Sequence, residues 1–473
     1  MPNIAAVLSR LKGLTFDRLS TALLFLVIGF GACFAPAQND TWWHLRTGQE
    51  IWSTRTIDLR DHFSHTVNGT YWPNHEWLSQ VLFYGVYRLG GLPLLTALVA
   101  GLIFATWLLI WRLVPGDRRL RLVLCALALV PSTPAWSLRP QVLTLFLMAA
   151  AAFLIVRRSY LWMPLLFLFW ANFHAGVTLG FVLLGGWIVA LTLEERKVPW
   201  RPLAIAGLSV LATAMTPLGA SLWTQVPESL ARARPYGIME WRPPGFTDLL
   251  FAPFWLMAGA LIVLILKEKP WQSTLRCSSM IWTALALLPL AVTSERNVPP
   301  FLLMAVPSIA TLREWRGTPR TSASRRVEHP AFNASVLVAG LLLAAGTVAY
   351  AWSSAISRLG WQPIPEPAIA ALASCPGHLY NRYDEGGYLI WFVPGRKVFL
   401  DSRQDPYPSE LVHEQIRVEA SGDYADLFDR YAIGCAFVAT DSPIARRLTA
   451  GGWEEAYKGS AFVVLTNPLF WPR

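Results

Sequence analysis

Leu19-Ser20-Thr21-Ala22-Leu23-Leu24-Phe25-Leu26-Val27-Ile28-Gly29-Phe30-Gly31-Ala32-Cys33-Phe34-Ala35-Pro36 is followed almost at once by Asn39-Asp40-Thr41-Trp42-Trp43-His44-Leu45-Arg46-Thr47-Gly48. The first stretch carries no charge and approaches the roughly 20 apolar residues that a helix needs to cross a bilayer. Similar runs recur near 92–111, 122–137, 138–156, 161–174, 175–193, 202–217, 249–266, 277–293, 298–312 and 331–352. They predict a polytopic α-helical membrane protein with about eleven spans. Composition points the same way: of 473 residues, 54% are hydrophobic and only 15% charged. Soluble chains carry about 25% charged residues, so this chain lacks the charge to coat a soluble surface. Trp111, Trp162, Trp200, Trp271, Trp315 and Trp352 stand near the ends of apolar runs, where indoles settle at a membrane interface. The net charge of +10 is not arranged as a basic stripe with interleaved aromatics, and no nucleic-acid partner is expected.

The loops set the orientation. Arg10, Lys12 and Arg18 precede the first span; Arg118, Arg119 and Arg121 follow the second, and Arg157 and Arg158 the fourth. Arg196, Lys197 and Arg201 follow the sixth, Lys267, Lys269 and Arg276 the eighth, and Arg313, Arg316, Arg320, Arg325 and Arg326 the tenth. Every second loop is basic, which places those loops in the cytoplasm. The expected location is a bacterial inner membrane, with the amino terminus cytoplasmic and residues 353–473 periplasmic. A cleaved signal peptide ending near Ala35-Pro36-Ala37 is the competing reading of the start; it would leave the following loop without its anchor.

The outside loop 38–91 holds four of the eight histidines: His44, His62, His65 and His75. A helix over 41–52 puts Asp40, Trp43, His44 and Thr47 on one face, with Trp42, Leu45 and Trp52 opposite. That pattern predicts a helix lying flat on the bilayer, apolar side down. A second helix, 75–89, aligns Glu76, Gln80 and Tyr87 and ends at Gly90-Gly91. Taken singly, Asp40 reads as an N-cap and Glu76 as a carboxylate favoured by a helix dipole. Other outside loops supply Arg139, His174 at the end of Trp170-Ala171-Asn172-Phe173, Glu240, and Glu295-Arg296-Asn297. Ionisable groups at membrane depth cost roughly 2.5–3.5 kcal/mol each, so partners or a task are expected. Snorkelling is the plainer reading of Arg139 and Arg296, and helix capping that of His174. Together, acid, base and imidazole suit a cavity that handles a phosphate and a proton.

At these residues the sequence resembles the GT-C class of membrane glycosyltransferases, which includes protein O-mannosyltransferases and the lipid A aminoarabinose transferase. The resemblance covers 19–352. It is strongest in the first outside loop, and a bacterial branch of the class has markers that resemble Asp40-Thr41-Trp42-Trp43-His44, Asn74-His75-Glu76-Trp77-Leu78, Leu138-Arg139-Pro140-Gln141, Glu240-Trp241, Gly386-Gly387-Tyr388-Leu389 and Phe399-Leu400-Asp401-Ser402-Arg403. It implies a polyprenyl-phosphate sugar as donor and a glycan, lipid or protein as acceptor. Asp40 would be the catalytic base, and Arg139 or Arg296 the phosphate clamp. His44, Glu76, His174 and Glu240 would orient substrate. A single attack would invert the anomeric centre. Asp40-Thr41-Trp42 is no Asp-x-Asp, and Asn74-His75-Glu76 replaces the Lys-Pro-Pro of the aminoarabinose group. A divalent cation is therefore left open and no metal ligand is assigned. No Rossmann fingerprint or phosphate-cradling loop points to a nucleotide-sugar donor.

Residues 1–352 thus read as the transmembrane domain, its loop 38–91 carrying two interfacial helices, and 353–473 as a periplasmic α/β domain. Pro363, Pro365 and Pro367 read as a stiff linker. Strands are expected at 378–380, 397–400, 436–439 and 462–465, with helices near 409–430 and 442–450. Asp401, Arg403 and Asp405 read as a surface turn or as acceptor contacts. Cys375 and Cys435 precede expected strands; a disulfide and two buried thiols are both open. A transporter or flippase, and a non-catalytic envelope-assembly scaffold, are the rival functions. Charges gathered at one face and the lack of an internal repeat speak against the transporter. A reporter that works only in the periplasm, fused after Arg473, is expected to be active; activity of a cytoplasm-only reporter there would overturn the topology.

Overall fold

The computed structural model describes residues 13–225, 228, 239–270, 278–314, 328–353 and 359–470. Arg10, Lys12, Arg276, Arg316, Arg320, Arg325, Arg326, Trp271 and Trp315 lie outside the described residues. In chain order the helices are α1 (Phe16–Ala32), α2 (Asn39–Thr54), α3 (Trp77–Leu113), α4 (Arg118–Leu129), α5 (Gln141–Val156) and α6 (Met163–Phe173). Then come α7 (Val177–Glu195), α8 (Trp200–Thr213), α9 (Ala252–Glu268), α10 (Ser278–Thr293), α11 (Val298–Glu314) and α12 (Pro330–Trp352). The tail adds α13 (Glu366–Ser374), α14 (Tyr383–Phe392), α15 (Ser409–Ser421), α16 (Ala425–Arg430) and α17 (Pro443–Ala450). Its strands are β1 (His378–Asn381), β2 (Ile433–Ala439), β3 (Glu454–Lys458) and β4 (Phe462–Thr466). The chain divides into two compact units, one of residues 1–35, 92–215 and 239–356, the other of 36–91, 216–238 and 357–473.

Among the described residues of the first unit the regular structure is all helical. A helix forms at each of the expected apolar runs, and α3, α7 and α12 are long and apolar enough to cross a membrane. α5, α10 and the 160–173 segment are shorter apolar helices. At its centre lies α11, buried from Val298 to Leu312, with α10 packed on it and α7 on α10. A Cβ at Gly186 of α7 would strike the Thr283 hydroxyl of α10, so glycine there sets how closely the two backbones approach. On α12 the pattern is the reverse. Phe332, Leu341, Leu342, Leu343 and Tyr350 are exposed, and only 6% of its most apolar window is buried in protein. An apolar helix with so little protein cover requires an apolar solvent.

In the second unit a four-stranded sheet, ordered β1-β2-β4-β3, carries one parallel pair (β1/β2) and two antiparallel pairs. The tail differs from expectation in several places. Residues 397–400 form no strand; Val398 donates to the Phe63 carbonyl (2.9 Å) and accepts from His65 N–H (3.0 Å) in an isolated bridge. Glu454–Lys458, too charged to read as a strand, pairs at the edge, where every side chain but the half-buried Tyr457 is exposed. Pro365 and Pro367 do not form a linker: Pro365 precedes and Pro367 begins α13, where proline's missing N–H costs nothing, and Ile364 is buried. Cys375 and Cys435 form a disulfide with Cα atoms 5.7 Å apart. The parallel β1/β2 pairing brings them there, with Cys435 opposite Leu379.

The 36–91 segment folds into this second unit. The α2 face carrying Trp42 and Leu45 does not lie against a bilayer. Trp42 is 1% exposed and packs on Trp391 and Phe392 of α14, with ring centroids 5.9 and 4.6 Å away. Nor is Asp40 the N-cap. Gln38 holds that place, its N–H bonded to the Thr41 hydroxyl at 3.0 Å, and Asp40 lies in the first turn. α3 is two helices joined at Gly90 and Gly91, the latter with φ of 63°. α2 crosses the first of these at Gly48, where a Cβ would meet the Gln80 carbonyl oxygen. Gly48→Ala is therefore expected to prevent that crossing and to lower membrane abundance sharply, whereas Gly101→Ala, with open space around its Cβ, leaves abundance unchanged. Immunoblots of membrane fractions check this; equal abundance of the two variants contradicts the close crossing.

Candidate functional site

The candidate residues fall into two groups, one in each unit. In the helical unit, Arg139 follows the 3-10 segment Val130–Ala135, Glu240 sits in a short 3-10 turn (Met239–Trp241), and Arg296 in another (Glu295–Asn297). One carboxylate binds both guanidiniums. Arg139 Nη2 donates to Glu240 Oε2 at 3.0 Å and Oε1 at 3.3 Å, and Arg296 Nη1 donates to Oε1 at 2.5 Å. Gln141 Oε1 accepts from Arg139 at 3.2 Å, and the Arg296 guanidinium lies over the Trp241 ring, 5.2 Å from its centroid. The Ser294 hydroxyl donates to the Glu240 carbonyl at 3.0 Å, tying the two turns together. Burial alone would raise the Glu240 pKa. Arg296 and then Arg139 outweigh it and hold the carboxyl at about 2, so it is charged at neutral pH. One carboxylate thus holds two guanidinium forks side by side, the planar geometry that grips an anion's oxygens.

His174 ends α6 as its C-cap and is buried. Its Nδ1 accepts from Gly176 N–H at 2.8 Å and lies 2.9 Å from the Thr144 hydroxyl, which takes the Trp170 indole N–H at 3.0 Å. An accepting Nδ1 puts the proton of a neutral ring on Nε2. A Cβ on Gly176 would collide with Thr144. The capping and orienting readings of His174 are thus both compatible with its place.

In the second unit Asp40 is half-buried, and its Oδ1 lies 3.4 Å from the Trp43 indole N–H. His44 is buried, its Nε2 3.5 Å from Glu76 Oε2; His75 Nε2 lies 3.8 Å from the other Glu76 oxygen. Glu76 is in the turn just before α3 and its carbonyl accepts from Gln80 N–H at 3.1 Å. Asn74 and Gln80 pair side chain to side chain at 2.9 and 2.8 Å. The loop's other histidines go elsewhere. His62 pairs with Glu50 at 2.7 Å, and His65 reaches the Leu379 carbonyl at 2.9 Å, where burial holds it neutral with a pKa of about 4. Among the described residues no three His, Cys, Asp or Glu side chains gather to hold a metal.

The polar group that sequence reasoning misplaced is Asp401-Ser402-Arg403. It is no surface turn. Arg403 has no exposed side-chain surface and is held by Asp61 Oδ1 at 2.5 Å and by Asp401 through Nε (2.8 Å) and Nη2 (2.7 Å). Tyr407 donates to Asp401 at 2.6 Å; burial, then the Asp401 charge, push its pKa up and keep it protonated. The Arg403 guanidinium also lies over Trp72 and Phe63, 4.6 and 5.0 Å from their centroids. One signal was available: Asp401 and Arg403 directly follow the apolar run Val398-Phe399-Leu400, which is fully buried. Asp61, the partner from the far loop, had none.

With the fold and these groups in view, comparison with solved structures gives the class of architecture. The Archaeoglobus fulgidus oligosaccharyltransferase in its apo form superposes with a TM-score of 0.53 at 12% identity, over 89% of this chain and 70% of that one. The same organism's archaeal oligosaccharyltransferase AglB, in complex with an inhibitory peptide and a dolichol-phosphate, gives 0.53 at 11% identity over 89% and 69%. ArnT from Cupriavidus metallidurans bound to undecaprenyl phosphate gives 0.49 at 15% identity over 96% and 99%. The two oligosaccharyltransferase structures, both above 0.5, are of the GT-C class, and the fold of this chain is a GT-C fold. No protein-family model matches the sequence, and no curated protein sequence matches it.

Removing the Arg403 charge strands two buried aspartates against each other, which is expected to cost about 3–5 kcal/mol. Arg403→Met should therefore lower the thermal midpoint of the detergent-solubilised protein far more than Asp61→Asn, which leaves Arg403 paired with Asp401. Equal losses would show that the cluster is not organised by its cation.

Proposed function

We propose that this chain is a membrane glycosyltransferase that moves a sugar from a polyprenyl-phosphate donor to an envelope acceptor on the periplasmic face. The observation that carries the reading is the Arg139–Glu240–Arg296 triad at the loop ends of a GT-C helical unit. A pair of guanidiniums fixed by one carboxylate is preorganised for the charge that grows on a departing lipid phosphate. Lysines would supply charge without the planar fork. The dolichol-phosphate in the AglB complex supports a lipid phosphate as the donor's leaving group.

In this reading Asp40 takes the proton of the acceptor hydroxyl, a poor nucleophile until deprotonated. Arg139 and Arg296 hold the donor phosphate, and Glu240 keeps their forks in place. His44, Glu76 and His174 orient substrate. The anomeric carbon passes through an oxocarbenium-like state, and one displacement inverts it. All of the helices α1 and α4–α12, with the second half of α3, are taken as spans. The Cys375–Cys435 disulfide supports a tail in an oxidising compartment, as the alternation of basic loops requires.

Asp40→Asn keeps size and capping ability and removes the charge and the proton acceptor. Its transfer rate is expected to fall roughly 10²–10⁴-fold at unchanged membrane abundance. Arg139→Lys, which keeps charge but loses the fork, should also be impaired. Mass spectrometry of envelope glycans and lipid-linked sugars from cells carrying each variant reads the outcome. Normal output from Asp40→Asn at normal abundance would put the scaffold or transporter readings ahead.

A further inference from the structure

Within the second unit the Trp43 indole N–H is shared. It points at Asp40 Oδ1 (3.4 Å) and at the Ser402 hydroxyl (3.2 Å), two acceptors 362 residues apart in the chain. The ring has little freedom to choose. It lies against His44, tilted by 35° with centroids 3.6 Å apart, meets Trp72 edge-on at 6.0 Å, and is buried. Ser402 is equally fixed, because it stands between Asp401 and Arg403. Arg403 N–H bonds Asp401 Oδ1 at 2.9 Å, and the Tyr383 hydroxyl donates to the Ser402 carbonyl at 3.3 Å. On the other side of Asp40, Asn39 clamps α14. Its amide donates to the Tyr383 carbonyl (3.0 Å) and accepts from Tyr388 N–H (3.2 Å), and a Cβ on Gly387 would strike the Asn39 carbonyl. Both tail stretches that touch α2 here, 383–388 and 401–403, therefore bear on the one turn of helix that carries Asp40.

We propose that the tail is a working part of the Asp40 site: Ser402, locked by the buried Arg403 cluster, and Trp43 are positioning residues that set how strongly the Asp40 carboxylate is hydrogen-bonded. This deepens the reading of Asp40 as the base and rests on it. The logic is a competition for one proton. A donor on a carboxylate favours its charged form and weakens it as a base. Ser402 draws part of the indole N–H away from Asp40 and so tempers that effect. Among the described residues, the titratable and charged groups around this turn include Tyr388, Glu385 and Asp384 on α14, His44 on α2 with Glu76 beyond it, and Asp401 and Arg403 in the tail turn. The Tyr388 hydroxyl, pushed up to about 12 by burial and then by the Asp40 charge, stays protonated across the working range.

The two positioning residues are expected to act in opposite senses. Trp43→Phe removes the donor, and the acid limb of the pH–rate profile should move up by roughly half to one pH unit. Ser402→Ala leaves the whole N–H to Asp40, and the same limb should move down by a similar amount. The profile is measured as product formed per molecule of enzyme from the endogenous lipid-linked sugars of isolated membranes, with abundance taken by immunoblot. A purely structural role would lower abundance without moving the limb. Should Trp43→Phe fail to accumulate, the downward shift of Ser402→Ala alone decides the matter. Limbs that coincide with that of the unaltered protein, alongside an inactive Asp40→Asn, overturn this proposal and leave the base reading standing. An active Asp40→Asn removes both.

Discussion

A guanidinium with no water to face must find its counter-charge in protein, and Arg403 finds it in two aspartates from opposite ends of the chain. Coulomb attraction at this depth is strong, yet removing two carboxylates and a guanidinium from water costs several kcal/mol per ion. The arrangement persists because the carboxylate lone pairs are answered, although the buried Arg403 Nη1 has no hydrogen-bond partner among the described residues. Asp401 takes Tyr407 and the Arg403 N–H, and Asp61 takes the Ser64 hydroxyl and N–H. Trp72 and Phe63 close the faces of the guanidinium. Such a cluster contributes less to net stability than to uniqueness. It admits one register between the 58–76 loop and the 398–407 segment, and the isolated Ser64–Val398 bridge records that register.

From this fixed point the rest of the second unit follows. The bridge seats Phe399 and Leu400 in the sheet's core, and Gly386 lets α14 pass against the Leu400 carbonyl. α14 in turn takes the apolar face of α2, so Trp42 spends its surface on Trp391 and Phe392 rather than on lipid. Once that face is occupied, Asp40, Trp43 and His44 are carried on the adjoining side of a helix that cannot roll. The disulfide and the Cys435–Leu379 register then fix the sheet from its other edge.

The helical unit answers to a different constraint. Its helices satisfy their own backbone polar groups, the arrangement a bilayer demands, and the charged side chains of its candidate site stand where helices stop. Arg139, Glu240, Ser294 and Arg296 all belong to turns between helices, not to helix interiors. A pairing that spans 101 residues between Arg139 and Glu240 is affordable there because the turns are held by long apolar helices on either side.

What could be read from the sequence alone was what is local. Helices formed at all the apolar runs because length and hydropathy act over about 20 neighbouring residues. The break at Gly90-Gly91, the α15–α17 helices and three of the strands were legible for the same reason, whereas the choice between a disulfide and two buried thiols was decided only by the parallel pairing of β1 and β2. The edge strand Glu454–Lys458 was hidden by its charge, and 397–400 looked like a strand because a buried β-rich segment needs no ladder to be apolar. Capping likewise went to Gln38 in place of Asp40 through a neighbouring hydroxyl. Only the tertiary structure decided which way α2 faces, and that Asp401 and Arg403 are interior. It alone joined Asp61 to Arg403 across 342 residues and put one carboxylate between Arg139 and Arg296. Hydropathy is a property of a segment, but a buried charge is defined by its partner, and a partner hundreds of residues away leaves no mark on the local pattern.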